Sequence, residues 1–239
     1  MKLSSIFLVI SASISTSVAL VPGRYLYEDE DGKYRLAFDF YEDERITVIF
    51  DTPTNHFLDG RFSLTHQSVG TYAIDFNGAF EGATSLYNGI QSIYPGVSFH
   101  DGDLTTVTFT SYGSPLYVTF EGQSLELLPY GFPMVEGTFV NSDDPYLRIN
   151  YTFQAEARLD VQVVCGENKT STVSFNLTES SRKFYDLSPP EKILELEGEL
   201  DRACPWLLME LNDLTNVRFA SPSLAFIVLE GIMTPLRQI

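Results

Sequence analysis

Cys165 and Cys204 are the only cysteines in a chain of 239 residues, and they are the first residues that could do chemistry. In an exported protein two thiols pair rather than stay free. Joining them closes a loop of 39 residues (204 − 165 = 39). Such a bridge stabilises a fold by roughly 3–4 kcal/mol, through entropy removed from the unfolded chain. The competing use, a catalytic thiolate, needs an imidazole beside it. The histidines, His56, His66 and His100, all lie in the other half of the chain, so a disulfide is expected.

The histidines carry no motif of their own. Neither a Gly-x-Ser-x-Gly elbow nor a His-Glu-x-x-His pair occurs, and these are the spacings that aim a serine nucleophile or hold zinc. They read as surface or loop residues. Carboxylates are abundant, and they gather at 28–31, 42–44, 101–103 and 143–144. Calcium takes several oxygens from a flexible loop, which makes Asp29, Asp31, Asp101 and Asp103 conceivable ligands. None has EF-hand spacing, and turns are where solvated aspartates belong. No metal and no cofactor is therefore assigned. If the chain is an enzyme, His66, His100, Asp101 and Asp103 are the groups to test. With 32 acids in the chain, no glycosidase pair can be nominated.

Asn150-Tyr-Thr, Asn168-Lys-Thr and Asn176-Leu-Thr are acceptor triplets for N-glycosylation. Residues 1–19, with one lysine, a short apolar run and a small-x-small end, read as a secretory signal peptide. No later stretch reaches spanning length, so no membrane insertion is expected. A formal charge of −17 argues against nucleic acid and anionic membranes as partners.

The elements that must position these groups are strands. In residues 34–50, Leu36, Phe38 and Phe40, then Ile46, Val48 and Phe50, alternate with other residues. A period of two places each set on one sheet face, which predicts a hairpin with a buried side. The pattern returns as Ile149, Tyr151 and Phe153, then Leu159, Val161 and Val163, at an offset of 113 (158 − 45 = 113 from Arg45 to Arg158). Asp213-Leu-Thr-Asn-Val-Arg-Phe likewise matches Asp103-Leu-Thr-Thr-Val-Thr-Phe, at 213 − 103 = 110. Blocks in one order at a near-constant offset indicate a tandem duplication. The units are expected at 20–131 and 132–239, with the boundary within residues 129–133. The fold class follows: all-β, two antiparallel sandwich- or barrel-like units with few or no helices. Residues 78–94 read as a long loop. The alternating Leu194, Leu196 and Leu200 read as a strand, although Ser188-Pro-Pro-Glu opens like a helix.

Gly23-Arg-Tyr25 resembles the Gly-x-Trp of lipocalin first strands over three residues, with the tryptophan replaced, and it assigns no family. The functional expectation is a secreted, acidic, β-rich glycoprotein acting as a non-catalytic binding module. Its partner would be a small apolar ligand, a glycan or a protein. A secreted hydrolase and a structural matrix protein are the alternatives. The site is expected on the 78–94 loop and the adjoining 94–103 segment, or at the junction around 129–133.

Overall fold

The computed structural model describes residues 20–78, 82–110, 115–141 and 144–239. The expected leader at 1–19, Asp143, and Gly113 with Ser114 lie outside the described residues.

The first unit comprises β1 (Gly23–Glu28), β2 (Arg35–Phe40), β3 (Arg45–Asp51), β4 (His56–Ser68) and β5 (Thr71–Asp75), then α1 (Ala83–Ile93). It ends with β6 (Thr106–Phe109), β7 (Leu116–Phe120) and β8 (Gln123–Tyr130). Each strand pairs antiparallel with the next, and β8 returns to β1, closing a barrel. The second unit repeats the plan with β9 (Gly137–Asn141), β10 (Leu147–Gln154), β11 (Arg158–Cys165), β13 (Val173–Glu179) and β14 (Tyr185–Ser188). Then come α2 (Pro190–Ala203), β15 (Asn216–Ser221), β16 (Leu224–Leu229) and β17 (Ile232–Gln238). A two-residue strand, β12 (Asn168–Lys169), hangs on β11 outside the ring, which closes through β17–β9 and β10–β11. Closure decides between sandwich and barrel, and it removes the exposed edges on which sheets aggregate.

The expected alternation holds. Leu36, Phe38, Ile46, Val48 and Phe50, and in the second unit Ile149, Tyr151, Leu159 and Val161, are each 0% exposed. An eight-stranded barrel is just wide enough for its own side chains. These interiors are filled by Tyr25, Phe38, Phe50 and Phe120 in one unit, and by Phe139, Tyr151, Phe153, Phe175 and Phe219 in the other. One cluster recurs in both: Tyr25, Phe40 and Phe109 meet edge to face at 5.3–5.4 Å. Phe139, Phe153 and Phe219 do so at 4.8–5.4 Å. Pairing repeats as well, since Gly23 faces Phe40 across the ladder as Gly137 faces Phe153.

Two expectations are corrected. Most of the 78–94 loop is helix α1, which buries Leu86 and Ile90, four residues apart, against the first barrel. Small and polar residues around that pair hide the 3.6-residue period. The segment read as a strand near Leu194 is helix α2, whose buried face is Leu196, Leu200 and Ala203. Leu194 is 67% exposed, so the apparent alternation counted a surface leucine. The proline at the first helical turn was the better signal. Both helices lie between the fifth and sixth strands of their barrels, one more repeat of the plan.

The barrels dock through their outer faces. Val21 is buried with Ala220, Leu224 and Phe226 of the second unit, and β1 lies over β15. Phe132 forms an isolated bridge with Phe219. The Arg24 guanidinium stacks 4.9 Å from the Phe132 ring while its Nε and Nη2 donate to Asp39 at 2.6 and 2.7 Å. Gly131 donates its N–H to the Arg182 carbonyl at 2.9 Å. A β-carbon at Gly131 would lie 2.1 Å from the Lys183 oxygen, so only glycine lets the connection press this closely on the second barrel.

Candidate functional site

Of the groups nominated for acid–base chemistry, His100 and Asp103 meet through the His100 backbone N–H rather than its imidazole. His56 pairs with Asp51 at 2.5 Å and is largely exposed. His66 meets the edge of Tyr72 at 5.3 Å. His100 lies in the exposed turn after α1. Asp29 accepts the Lys33 N–H at 3.1 Å, and Asp31 pairs with the Lys33 ammonium, which holds its carboxyl below the usual range. Among the described residues no three His, Cys, Asp or Glu side chains gather as a metal site.

Asp103 has a different role. It is 0% exposed, and its carboxylate accepts the N–H groups of His100 at 2.8 Å and Gly122 at 3.1 Å. Asp213 repeats this, 1% exposed and accepting from Glu210 at 2.8 Å, Glu230 at 2.7 Å and Gly231 at 3.1 Å. Each aspartate ties the segment after its helix to the turn before its last strand. Each is followed by a leucine in the left-handed region, Leu104 at φ 53° and Leu214 at φ 57°. That conformation costs an ordinary residue about 1–3 kcal/mol. Charge-assisted hydrogen bonds of about 1.5–3 kcal/mol each offset it. A buried carboxylate present in both barrels at one structural position is a scaffold device.

Cys165 and Cys204 are joined, with α-carbons 5.6 Å apart. The bridge ties the end of α2 to the end of β11. In the first barrel the residue at the same place after the helix is Tyr94, whose ring packs on Tyr34 at 5.6 Å and Phe50 at 5.8 Å. One contact is covalent and the other aromatic, and both anchor the helix to the second hairpin. Of the acceptor asparagines, Asn168 and Asn176 are exposed, and Asn150 is half-buried on the outer face of β10.

Recesses large enough for a ligand open where the barrels meet. One, of about 280 Å³, is walled by Leu128, Pro129, Phe184, Phe226, Val228 and Met233, with Arg182 and Arg218 among them. The Arg218 guanidinium is buried and lies 5.4 Å from the Phe226 ring, while exposed Arg182 lies 5.8 Å from Phe184. Pro115 and Leu128 come from the first unit and most of the wall from the second, so neither barrel makes this site alone. Leu128 and Arg182 also border a more polar recess of about 390 Å³ with Glu28, Glu30 and Glu126. On another part of the junction, a recess of about 350 Å³ is lined by Tyr41, Arg61, Phe132, Pro222 and Leu224.

The segment 129–133, where a junction site was expected, contributes Pro129 to this recess, and none of the arginines was nominated from the sequence. One signal was available in the repeat. Tyr117-Val-Thr-Phe120 alternates as a strand with one wet face should, while Phe226-Ile-Val-Leu229 is apolar throughout. Arg218 stands where the first unit has Thr108. Lost alternation in one copy marks the face that the other copy covers. A scan against protein-family models finds no match for the chain, and a search of curated proteins finds none either.

Proposed function

We propose that the protein is an exported, non-catalytic binding module that holds a small, largely apolar ligand at the junction of its two barrels. The observation behind this reading is the contrast between interior and junction. The barrels are filled by their own aromatic side chains, whereas the junction keeps an open, mainly apolar recess with two arginines in its wall. Mostly apolar pockets with a few fixed polar groups are the usual form of small-molecule sites. The arginines suit a carboxylate or another hydrogen-bond-accepting head on the ligand. The disulfide, and sequons at outward positions Asn150, Asn168 and Asn176, fit an exported glycoprotein.

The test is titration with a fluorescent long-chain polyenoic acid. Arg182→Glu, at an exposed position, reverses the charge at the mouth. Met233→Trp fills the recess. We expect both to weaken binding by roughly tenfold or more, the loss of one good polar or packing contact. Binding unchanged in both variants rejects the site. Turnover of a hydrolase substrate panel that disappears in His100→Ala or Asp101→Ala would replace the binding reading with an enzymatic one.

A further inference from the structure

Because the chain holds two copies of one fold, each barrel shows what the other's frame requires. The frame at issue is the end of the second barrel, where the segment after α2 meets the β16–β17 turn. Asp213 binds the N–H groups of Glu210, Glu230 and Gly231, and the Leu208 N–H donates to the Glu230 carboxylate at 3.1 Å. The first barrel has the same frame: Asp103 binds His100 and Gly122, and the Ser98 N–H donates to Glu121 at 3.1 Å. Both turns even place their glutamate at φ 51°.

What the two frames display differs. The second carries Trp206, Leu208, Leu211 and Ile232, which are 50, 74, 91 and 62% exposed. The matching positions of the first are Gly96, Ser98, Asp101 and Gln123. The frame therefore folds with small or polar residues there, and the apolar set is not a demand of the barrel. Grouped exposed apolar residues on a fixed loop mark an interaction surface, and tryptophan is the residue most enriched where interfaces gain their energy. Trp206 is the sole tryptophan of the chain.

Charge identifies the partner. The patch is bordered by exposed Glu210 and Glu230, and α2, which leads to it, carries five carboxylates against two cations. A second copy would bring these carboxylates against their own kind, and like charges opposed at an interface are costly. We infer that this end of the second barrel docks a protein partner that presents apolar side chains ringed by lysine or arginine.

The probe is a synthetic amphipathic helix of leucine and lysine, followed by the fluorescence of Trp206. Its controls are the same helix with glutamate for lysine, and neutral phosphatidylcholine vesicles. The decisive variant is Leu208→Ser with Leu211→Asp, the residues of the first barrel, so its thermal unfolding should match the parent. The reciprocal graft, Ser98→Leu with Asp101→Leu, rebuilds part of the patch on the first barrel. We expect the lysine helix to bind with a blue shift, weakening with salt, and to lose roughly tenfold or more in affinity in the first variant. The graft should gain affinity. Equal binding by parent and variant overturns the inference, as does preference for the glutamate helix. Vesicle binding lost in the variant reassigns the surface to membranes, and concentration-dependent dimerisation lost in it reassigns the surface to a second copy. Arg182→Glu, which tests the junction, should leave this binding unchanged, so the two readings fail separately.

Discussion

Tyr151 offers a sharp test of the duplicated core. It is 0% exposed inside the second barrel, and its hydroxyl has no hydrogen-bond partner among the described residues. The matching residue of the first barrel is Phe38, also 0% exposed, on the same strand and register. The hydroxyl has thus been carried out of water into a position that the sister unit fills with a plain ring. A buried polar group left unpaired costs about 1–3 kcal/mol. Removing one oxygen leaves a void of about 10–15 Å³, which costs about 0.3 kcal/mol at the usual cavity coefficient. Tyr151→Phe should therefore stabilise the protein by about 0.7–2.7 kcal/mol, the difference of these two effects. The midpoint of thermal unfolding should rise by about 2–4 °C per kcal/mol gained if the chain unfolds as one unit, and by about 4–8 °C per kcal/mol if the second barrel unfolds as its own unit. Phe38→Tyr should move the first barrel the other way by a similar amount. Calorimetry and urea unfolding of the parent and both variants measure this directly. A Tyr151→Phe protein less stable than the parent by 1 kcal/mol or more would refute the reasoning, because the hydroxyl would then have to be satisfied inside the core.

Two further outcomes follow from the same packing. Replacing Cys165 and Cys204 by serine or alanine should cost the second barrel roughly 3–4 kcal/mol. The first barrel, held by Tyr94 at the matching place, should keep its stability; near-ultraviolet spectra of the two unfolding steps, or hydrogen exchange by barrel, would reveal equal losses in both if the units are not independent. The protein should also lose stability in alkali. Burial pushes the phenols of Tyr34 and Tyr151 far up, and those of Tyr72, Tyr87 and Tyr185 up as well. The unfolded chain releases these protons near pH 10, as free tyrosine does. The folded chain keeps them longer, so their contribution is intact below about pH 10 and is lost as the pH rises past it. Phenolate absorbance should then grow in one step together with unfolding; full titration of the tyrosines in a still-folded protein contradicts it.

Much of this fold could be read from periodicity because a closed barrel has one buried face. Leu36, Phe38 and Phe40 reported their register directly, and the Asp-Leu-Thr blocks at 103 and 213 reported the duplication. The helices escaped for a physical reason. Each buries only a narrow stripe, Leu86 with Ile90 or Leu196 with Leu200, and the rest of its surface follows no pattern that the barrel imposes. Asp103 was visible, but its role was not: the same letters describe a solvated turn acid and a carboxylate that gathers backbone donors from a segment nineteen positions away (122 − 103 = 19). The junction was the least legible. Arg182 and Arg218 share a recess with Leu128 and Pro129 of the other barrel only because two outer faces meet, and no period within one strand encodes which face that will be.

The comparison of the two barrels separates what the architecture requires from what it merely carries. The recurring features are internal: the edge-to-face aromatic cluster, the buried aspartate, the left-handed leucine after it and the helix between strands five and six. Each solves a problem that any barrel of this plan meets, namely filling the interior, satisfying turn donors and anchoring the helix. Helix anchoring is met differently in each copy, by the disulfide in one and by Tyr94 in the other, but other single-copy features have no counterpart in the sister barrel and solve no such problem. Arg218 in place of Thr108, Phe226 in place of Tyr117, and Trp206, Leu208 and Leu211 in place of Gly96, Ser98 and Asp101 belong to that second group. The first two lie on the face that meets the other barrel, and the last three point to solvent. Leu208 and Leu211, 74 and 91% exposed, leave most of their apolar surface in water in the isolated chain, so the surface around Trp206 is where a partner has the most to gain. The arginine-walled junction is where the two barrels together offer something that neither offers alone.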